Sequence, residues 1–283
     1  MSASRFRRPI ISKSHHPIDS HGLVEDLRIM SRRRMFGLIA GSAALIPAIA
    51  SCVTSDSSST DADTGSGSDA GTDSSGTCEA IPEETQGPYP GDGTNGANAL
   101  VLAGIVRSDI TTSIAGATGV AEGVPLTVTL TIVDASTCEP LAGHAVYIWH
   151  CDRDGNYSMY SAAVADENYL RGVQETDSSG VVTFTTIVPA CYSGRWPHIH
   201  FEIYTSVSEA TSGANKIATS QLALPKTMCD AVYATSGYEA SVTNLARITL
   251  ASDNVFSDGA TLEIPAVAGS VDAGFTATLT VAV

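Results

Sequence analysis

The chain has 283 residues, of which 43% are hydrophobic and 16% charged, and its formal net charge is −15 at pH 7. Eight of its 15 basic residues but only three of its 30 acidic residues fall in 1–52, so residues 53–283 carry a net charge of −20. This acidity argues against nucleic acid as a partner and against electrostatic binding to anionic lipid, because both require a basic surface. Segment 78–283, about 206 residues long, is sufficient for one domain with its own core.

An export signal is predicted before that domain. A run of arginines precedes the apolar segment 36–50, which is too short to span a bilayer and is typical of a signal peptide. The paired arginines favour the twin-arginine route, and Met30 is a candidate for the true start. Residues 49–52 are similar to a lipobox, which predicts a lipid on Cys52, the only membrane contact that we expect, and a periplasmic or cell-surface location. The alternative is an ordinary cleavage site that lies beside a cysteine.

A linker is predicted over 53–77. This segment consists of Ser, Thr, Asp, Gly and Ala, with Val53 as its only larger apolar residue. It cannot bury enough surface to offset its backbone entropy, so we expect it to be disordered. It is interpreted either as a tether that holds the domain clear of a lipid surface or as a linker without any anchor.

The domain, 78–283, shows the periodicity of β-strands. Apolar and hydroxylated residues alternate in 126–133, 182–187 and 275–281, and 146–149 is a further predicted strand. Turn signals such as Asp154-Gly155 and Ser179-Gly180 separate such segments. Many short strands without a long amphipathic helix predict an all-β fold, specifically a β-sandwich.

Two tyrosines and a His-x-His pair stand out in the middle of the domain. His198 and His200 would lie on one face of a strand, because side chains alternate between faces. With Tyr157 and Tyr192 they could offer a metal two neutral nitrogens and two anionic oxygens. That set suits a hard trivalent ion, whereas zinc and copper more often bind Cys and His, so ferric iron is predicted. The alternative is a polar strand face that carries two histidines, with tyrosines that only pack.

Four motifs carry a resemblance to a known family. Trp-His-Cys-Asp-Arg-Asp-Gly-Asn-Tyr-Ser at 149–158 is followed by further matching segments at 170–177, 180–187 and 194–201. In this order they resemble the intradiol ring-cleavage dioxygenases, and more narrowly the secreted single-domain branch. The resemblance extends from about Thr85 to the C-terminus. It implies a β-sandwich of the intradiol catalytic-domain type, with an iron site in loops and at strand ends.

The resemblance also implies a ligand set. Tyr157, Tyr192, His198 and His200 match the family's four ligands to a non-haem Fe(III) cofactor. Two phenolates and a hydroxide would neutralise the charge of the ion, which suits a partly buried site.

The implied reaction is cleavage of a catechol-type aromatic ring by O2, between the two hydroxylated carbons, to give a cis,cis-muconate-type product. By the same resemblance three residues are catalytic. Tyr192 matches the tyrosine that gives way to the substrate, Arg195 matches an active-site arginine, and Gln221 matches a glutamine that lines the pocket. Arg195 would stabilise negative charge that develops on the ring.

The chain departs from the family's usual residues at two places near the substrate pocket. One is 86–90, which reads Gln-Gly-Pro-Tyr-Pro, and the other is Ala190-Cys191. These departures leave the size and the substituents of the substrate open.

Five cysteines follow Cys52, and an oxidising compartment favours pairing among them. Cys138 with Cys151 is the first pairing that we expect, although spacing alone leaves the connectivity open. Cys191 is expected to face away from the metal, because a soft ligand would compete with the oxygen donors.

Three functions are compatible with these features. The first is an exported Fe(III) dioxygenase. The second is a non-catalytic surface lipoprotein that binds catecholates or carbohydrate on a β-sandwich. The third is a structural module related to carrier-protein sandwiches, in which the Tyr and His set is accidental.

Overall fold

The computed structural model describes residues 78–283, so the predicted signal peptide 1–52 and linker 53–77 lie outside the described residues. The described chain forms two four-stranded sheets, with strand orders β4-β1-β8-β7 and β3-β2-β5-β6. The strands are β1 (Pro125–Val133), β2 (Ala145–Trp149), β3 (Arg171–Glu175), β4 (Val181–Ile187), β5 (His198–Tyr204), β6 (Ala218–Ala223), β7 (Ala266–Ser270) and β8 (Gly274–Ala282). The predicted all-β sandwich is confirmed.

The first sheet is built on the alternation seen in the sequence. In β1 the side chains of Leu126, Val128 and Leu130 are buried, while the threonines between them lie on the outer face. Val128 lies beside Phe184 of β4 in an antiparallel pair and beside Ala277 of β8 in a parallel pair. The apolar residues of neighbouring strands therefore share one face, which forms half of the sandwich interior.

The second sheet is buried on both faces, and the two faces differ in chemistry. Its inner face carries residues such as Ile148 and Phe201, which belong to the main core cluster. Its outer face carries Trp149, His198 and His200, all of them buried. Loops cover this outer face, so polar and aromatic side chains are held there out of contact with bulk water.

Two short helices follow the second sheet, α1 (Lys226–Tyr233) and α2 (Glu239–Leu245). Three single-turn 3-10 helices occupy Gly213–Asn215, Leu250–Ser252 and Phe256–Asp258. Within 78–283, no helix has both the length and the apolar character needed to cross a membrane.

The expected pairing of Cys138 with Cys151 is wrong. Cys138 forms a disulfide with Cys78, which the chain brings close because the Cys78 amide donates to the Ala135 carbonyl. Cys151 is a buried free thiol directed at the Ala190 carbonyl, 3.7 Å away. Cys191 is also free and packs in the main core cluster.

We predict that Cys78→Ser lowers the free energy of unfolding by about 4 kcal/mol, because the disulfide closes a long loop and restricts the unfolded chain. The linked cysteines are 60 residues apart. Urea unfolding with and without reductant measures the effect. Reductant should shift the wild-type midpoint and leave the variant unchanged, whereas equal midpoints for both proteins would contradict the prediction.

A tight turn at Gly180 joins β3 to β4 and needs glycine for two reasons. Its φ is +74°, and a Cβ there would lie 2.4 Å from the Ile132 carbonyl oxygen. We predict that Gly180→Ala costs about 1–3 kcal/mol of stability from the backbone conformation alone, with a further loss from the clash. Gly143→Ala is the matched control, because φ is +75° there and no atom lies within 4 Å of the added Cβ. Equal losses in thermal unfolding would show that the clash contributes nothing.

Candidate metal centre

The site is organised by a row of side chains across the outer face of the second sheet. Arg171, Trp149, His200 and Gln221 lie directly opposite one another on β3, β2, β5 and β6. Trp149 stacks on the His200 ring, with centroids 4.8 Å apart and an interplanar angle of 3°. This contact fixes the plane of the imidazole.

Both predicted tyrosines lie in loops next to β5. Tyr157 follows a turn in which the Asp152 carboxylate accepts hydrogen bonds from the amides of Asp154 and Asn156. The carbonyl of Asp152 also accepts from the Ala190 amide, which connects this turn to the loop that carries Tyr192. The local turn chemistry thus brings the two phenols to the same place.

The four predicted donors converge. The Nε2 atom of His198 lies 3.2 Å from Tyr192 Oη, 3.4 Å from Tyr157 Oη and 3.1 Å from His200 Nε2. Tyr157 and the two histidines are buried, and Tyr192 is partly exposed.

Hydrogen bonding sets the protonation of His198. Its Nδ1 lies 2.6 Å from the Trp196 carbonyl, which can only accept, so Nδ1 carries the hydrogen. Burial, together with the positive charge of Arg195, lowers the pKa of His198 and the pKa of His200 well below the usual range. Both rings are therefore neutral, and His198 presents the lone pair of Nε2 to the other three donors.

These residues fit a metal ion. One lone pair can accept one hydrogen, yet three polar atoms surround His198 Nε2 at 3.1–3.4 Å. Ligands bound at about 2.0–2.2 Å from a shared ion would be separated by distances of this size. No group of three or more His, Cys, Asp and Glu side chains in 78–283 is arranged to hold a metal, so the tyrosine oxygens are needed to complete this donor set.

Arg195 lies beside the donors in a buried network. Its Nε donates to Asp253 Oδ2 at 3.0 Å, and its Nη2 donates to Gln221 Oε1 at 2.7 Å. The Gln221 amide nitrogen in turn donates to the Thr85 carbonyl at 2.8 Å. Arg195 and Gln221, both predicted site residues, are thereby held together.

Sequence reasoning missed several residues of this site. Asp253 binds Arg195 and also accepts from the Trp196 amide at 2.6 Å. Tyr89 packs on the Tyr157 ring, with centroids 5.0 Å apart. Tyr89 lies in a segment that the resemblance included, but no spacing pattern connects Asp253 to Arg195.

His150 has a structural role. Its Nδ1 lies 2.7 Å from the Cys151 carbonyl and its Nε2 lies 2.7 Å from Thr186 Oγ1. Both ring nitrogens are therefore occupied by groups outside the donor set.

Two acids near the edge of β6 make stability depend on pH. Burial raises the pKa of Glu84 to about 7 and, with repulsion from Glu84, the pKa of Glu263 to about 8. The folded state therefore holds these protons more tightly than the unfolded state does. The resulting stabilisation is complete below about pH 4.5, the ordinary pKa, and is lost as the pH rises through 7 to 8.

We predict that Glu263→Gln flattens the decline in stability between pH 5 and pH 8.5, because it removes the carboxyl that must ionise in a buried position. Urea midpoints across this range measure the effect. Glu139→Gln, at an exposed position, is the control and should keep the wild-type slope. A decline in Glu263→Gln as steep as in the wild type would contradict the assignment.

Several known proteins are similar to this chain in sequence and in fold. The family model Dioxygenase_C, described as a dioxygenase model, matches residues 104–199, which include Tyr157, Tyr192, Arg195 and His198. A chlorocatechol 1,2-dioxygenase of Rhodococcus opacus is 38% identical over 53 residues, 19% of this chain and 21% of that protein. The match therefore spans about a fifth of the curated relative.

Two solved structures extend the likeness to most of the described domain. An intradiol ring-cleavage dioxygenase from Tetranychus urticae is 27% identical with a TM-score of 0.57, covering 72% of this chain and 94% of that one. A further dioxygenase structure is 28% identical with a TM-score of 0.55 over the same shares. Together with the family model and the order of the motifs, these similarities confirm the resemblance to the intradiol ring-cleavage dioxygenases.

Proposed function

We propose that this chain is an exported non-haem Fe(III) dioxygenase that cleaves catechol-type aromatic rings between the two hydroxylated carbons. O2 is the second substrate, and the product is a cis,cis-muconate-type diacid. Both oxygen atoms enter the product, the O–O bond and one carbon–carbon bond break, and no external reductant is needed.

The convergence of Tyr157, Tyr192, His198 and His200 beside Arg195 carries this proposal. These four side chains would hold the iron through two oxygens and two nitrogens. Bound there, the iron would supply a Lewis acid that makes a catechol ring reactive toward O2. The chain's own residues supply the rest of the chemistry.

Tyr192 is the donor best placed to exchange with the substrate. It is partly exposed, whereas Tyr157, His198 and His200 are buried. A catechol that enters from solvent would therefore meet the Tyr192 phenolate first, and this oxygen can accept one of the catechol protons. The buried histidines, already neutral, keep their lone pairs directed at the centre.

Arg195 supplies positive charge next to the donors. Its side chain is almost fully buried, so water screens this charge little. Gln221 and Asp253 fix its direction, which means that it need not reorganise as negative charge develops on the ring.

Export is supported by features on both sides of residue 78. The arginine-led apolar segment and the lipobox-like sequence ending at Cys52 support twin-arginine export with a lipid anchor. The Cys78–Cys138 disulfide supports an oxidising compartment.

Visible absorption spectroscopy and oxygen uptake test the proposed function. The purified chain is loaded with iron and its spectrum is recorded before and after anaerobic addition of catechol; air is then admitted and oxygen consumption and product are followed. We expect a tyrosinate-to-Fe(III) charge-transfer band that shifts with catechol, and one O2 consumed per ring cleaved.

Two other results would argue against a dioxygenase. Tight catechol binding without oxygen consumption would support the non-catalytic binding protein. If the chain binds no iron after reconstitution, the assignment of the fold still holds but the proposed dioxygenase chemistry is wrong.

A further inference from the structure

Arg171 is a buried arginine, 1% exposed, that uses every one of its hydrogen-bond donors. Its Nη atoms donate to the carbonyls of Tyr89, Pro90 and Ser158 at 3.0, 2.8 and 2.9 Å. Nη1 also donates to Tyr147 Oη and Nε to Ser158 Oγ, both at 3.1 Å. These five bonds exhaust the five N–H groups of a guanidinium.

Four of the five acceptors belong to two loops that meet at the donor site, and the fifth, Tyr147 Oη, lies on β2. One loop carries Tyr89, whose ring packs on the ring of Tyr157. The other carries Ser158, the residue that follows Tyr157. Arg171 therefore connects the backbone on both sides of the contact between Tyr89 and Tyr157.

The two loops also contact each other around the guanidinium. The Gly91 amide donates to Tyr160 Oη at 2.8 Å, and the Arg171 guanidinium lies over the Tyr160 ring, 5.4 Å from its centroid. A Cβ on Gly91 would lie 2.7 Å from Arg171 Nη1. Gly91 thus allows the close approach that the five hydrogen bonds require.

These contacts depend on geometry rather than on charge pairing. All the acceptors are carbonyls and hydroxyls, and no carboxylate in 78–283 lies within ion-pair distance of Arg171. A planar fork can reach several fixed acceptors at once, which the single ammonium of lysine cannot do.

We propose that Arg171 is a positioning residue that sets the orientation of Tyr157 by clamping the Tyr89 loop to the Tyr157–Ser158 backbone. The inference rests on the proposed function, because it assigns Tyr157 to an iron centre. Its consequence is that the Tyr157 oxygen keeps its place beside His198 when the substrate enters, and that Tyr89 forms a fixed wall next to it.

Arg171→Lys tests this role, because lysine keeps the positive charge but lacks the planar guanidinium and its five N–H donors. The Gly91 amide donates to Tyr160 Oη, and the Gly91 carbonyl accepts from the Ala99 amide at 2.6 Å. In the chain without iron, hydrogen exchange at the amides of Gly91 and Ala99 should be faster by roughly tenfold or more, because bonds from a charged donor are among the stronger ones. In the iron-loaded chain, the tyrosinate charge-transfer band should shift and kcat should fall more than KM rises.

Arg107→Lys is the matched control. Arg107 also binds backbone carbonyls, those of Arg171, Thr112 and Asn168, but it contacts neither Tyr89 nor Ser158. Its replacement should leave the band and the exchange at Gly91 unchanged. Gly91→Ala, which displaces the guanidinium from the other side, should reproduce the band shift of Arg171→Lys.

The two possible failures are distinguishable. Absence of the charge-transfer band in the wild-type chain overturns the proposed function. A wild-type band that neither Arg171→Lys nor Gly91→Ala shifts, with unchanged exchange at Gly91, overturns the role of Arg171 alone.

Discussion

His200→Ala is expected to abolish stable iron binding and to lower ring cleavage at least about 100-fold, since loss of groups that merely support a metal ligand already costs 10–100-fold. His200 is buried, and its Nε2 lies 3.1 Å from His198 Nε2. Iron content by metal analysis and the initial rate of oxygen uptake measure the two effects. His144→Ala, at a half-buried position outside the four donors, should retain both.

Tyr157→Phe refines this experiment because it removes one oxygen atom and leaves the ring. The contact between the rings of Tyr89 and Tyr157 can remain, so packing changes little. We expect loss of charge-transfer intensity and of turnover. Tyr233→Phe removes a buried hydroxyl that donates to the Pro189 carbonyl, away from the donors, and should keep both signals. Full activity in Tyr157→Phe and His200→Ala would show that the convergence of donors is not an iron centre.

The sequence predicted the strands whose alternation is carried by strong β-forming residues. Segment 126–133 reads as a strand because every second residue is apolar, and it lies in β1 as expected. The same alternation placed Ile199 and Phe201 in the core and His198 and His200 on the opposite face.

Strands whose burial comes from their neighbours were not predicted. β6, with the sequence ATSQLA, has little apolar periodicity, yet it is buried throughout. Segment 83–86 and Glu263 lie along its edge, as shown by the Glu84 amide donating to the Thr219 carbonyl and the Ala223 amide donating to the Glu263 carbonyl. The periodicity of a strand's own sequence does not show which distant segments will bury it.

The site was predictable where its residues are close in sequence and matched a motif. His198, His200, Arg195 and Tyr192 lie within nine residues of one another. Asp253 is 58 residues from Arg195 and Arg171 is 81 residues from Pro90, so these contacts exist only because the fold closes around them. The disulfide prediction was wrong for the same reason, because the path of the chain beside β1 brings Cys78 to Cys138.

Arg195→Met is expected to lower kcat by about 10²–10³, the usual cost of removing a preorganised group that stabilises developing charge. Iron content should be retained, because Arg195 is not among the four converging donors. The substitution also leaves Asp253 buried without its cation, which costs about 3–5 kcal/mol of stability. Arg153→Met is the control, since that arginine forms an exposed ion pair with Glu122.

The double variant Arg195→Met with Asp253→Asn separates catalysis from stability. The asparagine is neutral, and its side-chain oxygen can still accept from the backbone amides of Val255 and Phe256, which Asp253 Oδ1 binds at 2.8 and 3.2 Å. The asparagine loses the bond from the Trp196 amide to Oδ2. Part of the lost stability should therefore return, as measured by urea unfolding, while turnover stays low. Recovery of turnover together with stability would mean that Arg195 acts only by supporting the fold, whereas stable iron binding with slow cleavage would assign its charge to the reaction itself.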